Sequence, residues 1–150
     1  MPAHAAARRL TTVLTAAVTA SGLLGAVALP ADAAIRISKV RYDAKGTDTT
    51  SNVNGEYVEI TNTGNKGKRL SGWQLKDDTG HTFTFPSFKL GSGRTVTVRT
   101  GEGGNTGRTL YWGQGWHVWN NTGDVAKLKK PSGTTADTCR WGDGTGVTAC

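Results

Sequence analysis

Apolar residues in this chain recur at every second position, in short runs. Each run ends in a break rich in Gly, Asn, Asp or Pro after roughly ten residues. A period of two places one face of an extended segment against a core and the other against water, the pattern of a half-buried strand. Thr95-Val96-Thr97-Val98-Arg99 is its cleanest instance. Composition agrees. Beyond residue 33, 38 of 117 residues are Gly or Thr, and both are poor helix formers, Gly by about 1 kcal/mol per site relative to Ala. A helical bundle is excluded on that ground. Disorder is excluded by Trp and β-branched residues recurring at strand spacing.

The strands can be placed in order. Ile35 to Tyr42 alternates, but its parity shifts between Ile37 and Val40, which predicts a bulge or break. Residues 43–55 form a long polar loop with Val53 as its one core-forming residue. In Glu56-Tyr57-Val58-Glu59-Ile60, Val58 and Ile60 face in and Tyr57, Glu59 and Thr61 face out. Trp73 and Leu75 share a face, and Asp77-Asp78-Thr79-Gly80 is a turn leading into His81-Thr-Phe83-Thr-Phe85 as a hairpin. Pro86 stops that strand. Ala126 and Leu128 point inward from a further strand, and residues 137–141 supply a last one. Seven to nine short strands at this spacing predict an all-β, antiparallel sandwich or barrel.

Residues 1–33 stand apart. Arg8 and Arg9 precede an apolar stretch from Val13 to Leu29, then Pro30 and Ala31-Asp32-Ala33. A basic start, apolar middle and small-x-small end is the order of a cleavable secretory signal; the apolar run is short for a membrane anchor, which needs about 20 residues. The expected mature chain, 34–150, carries 16 basic and 10 acidic residues, a net charge of +6. It is expected outside the cell, with no membrane span after cleavage.

Several segments, taken in order, resemble the lamin tail domain family: Asn54-Gly-Glu56-Tyr57-Val58-Glu59-Ile60-Thr-Asn62, Leu70-x-Gly72-Trp73-x-Leu75-x-Asp77, Phe83-x-Phe85-Pro86, Leu90-x-x-Gly93, Val96-x-Val98-x-Thr100-Gly101, and Trp119-Asn-Asn121-x-Gly123-Asp124-x-Ala126-x-Leu128. The chain looks like a secreted bacterial single-domain member of that family. The resemblance implies an immunoglobulin-like β-sandwich and a non-catalytic binding or interaction role. It supplies no ligand. It implies no filament assembly, because the coiled-coil rod of nuclear lamins is missing, and the segment from Thr138 to Cys150 departs from the family pattern.

Cys139 and Cys150 are the only cysteines. Export and an even count predict an intramolecular disulfide across the glycine-rich segment between them. Free thiols, intermolecular pairing and half of a metal site are the alternatives. Tyr111, Trp112 and Trp116 are candidates for stacking on a ligand, whereas Trp73 and Trp119 fall inside alternating apolar segments and read as core. Two basic clusters, Lys66/Lys68/Arg69 and Lys127/Lys129/Lys130, are candidate contacts for a polyanion, either a wall polymer bearing phosphate or carboxylate, or nucleic acid. Their bland alternative is solubility and protection of strand edges. Asp43, Asp48 and Glu56 are weak candidates for a cation, since the loop lacks a complete ligand pattern; otherwise they read as turn residues and a solvated strand face. No metal or cofactor is expected. His81 and His117 stand outside any catalytic motif, so no enzyme is expected. The partner expected is an anionic extracellular polymer or another secreted protein reached through a sheet edge.

Overall fold

The computed structural model describes residues 34–150; the expected signal segment, 1–33, lies outside the described residues. Eleven strands form, two more than the upper end of the seven to nine expected, since the two-residue β3 and β6 show no alternation: β1 (Ile35–Arg41), β2 (Tyr57–Asn62), β3 (Lys68–Arg69), β4 (Gln74–Lys76), β5 (Thr82–Thr84), β6 (Lys89–Leu90), β7 (Thr95–Arg99), β8 (Thr109–Tyr111), β9 (Gly123–Lys129), β10 (Thr135–Gly142) and β11 (Val147–Ala149). One 3-10 turn at Val53–Gly55 precedes β2.

The strands form a five-stranded sheet, β11-β1-β2-β7-β8, a four-stranded sheet, β10-β9-β4-β5, and a separate two-stranded ribbon, β3-β6. All ladders are antiparallel except β7–β8, which is parallel. The fold is the expected immunoglobulin-like β-sandwich. The parity shift in β1 is a register shift between Ile37 and Lys39, and β4–β5 is the expected hairpin, with Leu75 opposite Phe83.

Alternation buries one face of each sheet against the other. Val58, Ile60, Val96 and Val98 from the first sheet meet Leu75, Ala126 and Leu128 from the second, all nearly without exposure. Burying each such side chain contributes about 1.5–3 kcal/mol. A row of rings runs through this core. Tyr42 stacks on Trp141 at 5.1 Å, and Trp141, Trp119, Trp112 and Phe83 follow at 5.7, 5.6 and 6.0 Å, within the range where aromatic pairs attract. Cys139 lies on β10 and Cys150 just past β11, with Cα atoms 5.7 Å apart in a disulfide. Since β10 and β11 belong to different sheets, the bond ties the two layers together.

Residues 116–119 are not a strand. The N–H groups of Val118 and Trp119 donate instead to Glu56 Oε2, at 3.0 and 3.5 Å.

Candidate anion-binding site

One buried side chain organises the end of the sandwich where the ribbon sits. Asn62 closes β2 and is 1% exposed. Its Nδ2 donates to Lys66 O at 2.8 Å and Leu90 O at 3.1 Å. Its Oδ1 accepts from Gly64 N. Its own N–H donates to Arg94 O and its carbonyl accepts from Gly93 N. Five bonds therefore fix the 63–67 turn, the end of β6 and the 91–94 turn to each other. Gly93 takes φ +65°, a conformation that favours Gly. At Gly67 a Cβ would lie 2.9 Å from Lys89 Cε, so the Lys89 stem crosses close over that turn.

Leu70 and Leu90, both buried, anchor the two ribbon strands. Register places Lys68 opposite Leu90 and Arg69 opposite Lys89. Facing like charges on adjacent strands are unfavourable, and no Asp or Glu occurs between Glu59 and Asp77 or between Asp78 and Glu102. Lys68, Arg69 and Lys130 meet around one depression of about 470 Å³, whose apolar lining comes from Trp73 and Pro131. The two basic clusters, with Arg69 and Lys130 61 positions apart in sequence, thus contribute to one surface.

The other predicted cations divide. Lys66 is exposed on its turn. Lys127 lies on the half-exposed face of β9, as the alternation predicts, but its Nζ pairs with Asp78. Lys129 Nζ donates to Gly133 O at 3.3 Å, inside the β9–β10 turn. These two lysines serve local structure.

The aromatic candidates do not assemble into a platform. Trp116 is 53% exposed, with its ring edge-on to His117. Trp112 is half-buried, its ring packed between Phe83 and Trp119, and the 113–115 loop beside it turns back with Gly113 N donating to Gly101 O. Gly103 sits against the Tyr111 ring so closely that a Cβ there would lie 2.3 Å from it, which covers that face.

Asp43, Asp48 and Glu56 do not converge, and among the described residues no group of three His, Cys, Asp or Glu side chains is placed to hold a metal. Asp43 joins Gly146 through its backbone. Glu56, read as part of a solvated strand face, is corrected to fully buried. Its parity is that of Val58 and Ile60, a signal the sequence carried. Burial pushes its carboxyl above the ordinary value, and the Val118 N–H, the His117 charge and the Trp119 N–H pull back without cancelling.

His117 joins this carboxylate to the polar loop. The ring is 5% exposed, with Nδ1 facing Glu56 Oε1 at 3.2 Å and Nε2 facing Asp48 Oδ1 at 3.7 Å. Nε2 also meets Thr49 O and Asn52 Oδ1 at 3.2 and 3.1 Å. Sequence reasoning missed this latch, because 60 or so residues separate its halves and no periodicity relates them. Asp77, read as a turn residue, is buried. Its carboxylate accepts from the N–H groups of Thr79, Gly80 and His81, from the Thr79 hydroxyl, and meets His81 Nδ1 at 2.6 Å. Burial alone would raise its pKa; the Thr79, His81 and Gly80 hydrogen bonds outweigh that and lower it. Both acid–histidine pairs are thus occupied in holding loops.

The outer edge of the first sheet is closed. Thr109 N and Tyr111 N on β8 donate to Thr106 Oγ1 and Asn105 Oδ1, at 3.0 and 2.9 Å, so these donors are taken before another strand could add.

A search of curated proteins found no match. A family-level comparison matches residues 29–143 to the Lamin Tail Domain, a span that takes in β1 through β10 and all of the motifs quoted above. With that match over well over half its length and the sandwich it folds into, the chain belongs to the lamin tail domain family, a family of immunoglobulin-like interaction domains.

Proposed function

We propose that this chain is an exported, non-catalytic interaction module that binds an anionic extracellular or cell-wall polymer through Lys68, Arg69 and Lys130. The observation that carries the reading is the convergence of these three cations, from two separate clusters, on one depression with an apolar lining from Trp73 and Pro131. Cations offer attraction to repeated phosphate or carboxylate groups. Pro131, exposed over the buried Trp73, offers contact to the less polar parts of such a chain. The segment 1–33 supports export, and a partner outside the cell follows from it.

Retention of the native protein on wall material, chitin, cellulose and DNA, at low and high salt, tests this. The expected result is retention on anionic wall material that falls steeply with salt. Retention on DNA alone would replace the wall polymer with nucleic acid as ligand, and retention on none of the four would overturn the proposal. Mass measurement of secreted protein is expected to find an N-terminus near Ala34; a product that retains Met1 would contradict export by cleavage.

A further inference from the structure

The ribbon has a second side. Lys89 and Leu90 of β6 line a different depression, of about 440 Å³, together with Arg94, Thr95 and Arg108. Its cations come from three places in the sequence and sit on fixed backbone. Arg94 O accepts from Asn62 N, and Arg108 O accepts from Thr97 N at 2.9 Å. Their side chains reach outward, as does that of Lys89. Gly91 lies under the Arg94 stem, where a Cβ would come within 3.2 Å of Cγ.

We propose that this is a second anion subsite, and that the two depressions together take one linear polyanion laid across the β3–β6 ribbon. This rests on the proposed function and deepens it. Three observations carry it. β3 lines the first depression and β6 the second, and these strands are paired with each other, at about 4.8 Å spacing. Arg69 and Lys89 face each other across that pairing, so the strip joining the two depressions is itself cationic. A chain of anions laid over it relieves a repulsion the protein otherwise bears. Finally, Asn62 holds Leu90 O and Arg94 O of the second depression together with Lys66 O of the turn that leads into β3, and Leu90 is in turn paired with Lys68 of the first, which keeps the two subsites in one fixed relation.

Such a site distinguishes a polymer from a single anion. A short ligand occupies one depression; a long one occupies both, and the second contact is made at high effective concentration. The ligand is therefore a chain bearing regularly repeated phosphates or carboxylates. The two chemistries are separated by the probes.

The experiment measures the affinity of the intact disulfide-bonded protein for tripolyphosphate and long-chain polyphosphate, and for digalacturonate and polygalacturonate. Wild-type protein is compared with Arg94→Gln/Arg108→Gln and Arg69→Gln/Lys130→Gln, all exposed or rim positions, with thermal unfolding as the check on folding. The expected result is a gain of at least about tenfold from short to long chain for one of the two chemistries. Arg94→Gln/Arg108→Gln is expected to abolish that gain while leaving short-chain binding in place. Arg94→Gln/Arg108→Gln binding the long chain as wild type does, or a wild-type affinity independent of length, would overturn the two-subsite inference and leave the proposed function standing. Failure of the wild type to bind any probe at low salt would overturn both.

Discussion

Two buried carboxylates respond to pH in opposite directions. Asp77 has its pKa lowered by the Thr79, His81 and Gly80 hydrogen bonds, against burial. A carboxyl that holds its proton less tightly when folded stabilises the fold above its unfolded value and loses that contribution as pH falls through the lower, folded value. Stability is therefore expected to decline in acid below the ordinary value of 3.8. Asp77→Asn is expected to flatten that acid limb and to cost about 1–3 kcal/mol at neutral pH, as turn donors lose a charged acceptor. A chemical-denaturation series against pH checks both. Glu56 has its pKa raised, chiefly by burial. The folded state binds this proton more tightly than the unfolded chain, so stability falls as pH rises from 4.5 through the folded value. Glu56→Gln keeps an acceptor for Val118 N–H and is expected to remove that slope. Glu56→Ala leaves two buried N–H groups and the His117 ring without their partner and is expected to cost about 2–4 kcal/mol. An unchanged pH slope in Glu56→Gln would contradict the assignment. At this scale the sequence was half legible. Parity alone places Glu56 inside with Val58. Nothing local connects it to His117, because that contact exists only after the 43–55 loop and the 113–119 segment have folded over the sandwich.

At the scale of elements, the local patterns were readable and the long-range pairings were not. The β1 bulge, the β4–β5 hairpin and the inward face of β9 follow from period-two alternation and turn chemistry within a few residues. The β3–β6 ribbon pairs two-residue strands some twenty positions apart, too short to show any period. The β7–β8 parallel pairing likewise depends on a loop crossing over, which alternation does not encode. The joining of Lys68 and Arg69 to Lys130 was hidden for the same reason. Asn62 marks how such pairings are held. Asn62→Ala removes the side-chain bonds to Lys66 O, Leu90 O and Gly64 N, and is expected to lower stability by about 2–3 kcal/mol. It is also expected to weaken polyanion binding without touching a cation, a loss that binding measured well below the unfolding temperature would show. The β10–β11 end gives a separate prediction. Opening the Cys139–Cys150 bond releases a link between sheets and is expected to cost about 2–4 kcal/mol. Thermal unfolding with and without reductant measures it, and an unchanged midpoint would mean the sheets hold together without the bond.

For the whole molecule, the fold and the charge carry different information. The sandwich was legible because its longer strands repeat one simple pattern, and family motifs in order leave little freedom in how they stack. Net charge was legible as a number only. The structure distributes it: Lys39 pairs with Glu59 at 3.0 Å and Lys127 with Asp78, and Lys68, Arg69, Lys89 and Arg94 line the depressions around the ribbon. The central claim is that this arrangement, and not the overall charge of +6 expected for the mature chain, binds an anionic polymer. A charge-matched comparison tests it most directly. Arg69→Gln/Lys130→Gln removes two charges at the first depression; Arg36→Gln/Arg140→Gln removes two from exposed positions on β1 and β10 that line neither depression. Affinity for the retained wall polymer is measured against salt for each. The first pair is expected to lose about tenfold or more and to flatten the salt slope by roughly one to two, with the second pair close to wild type. Equal losses in both pairs would mean that charge acts without a site, and would contradict the account.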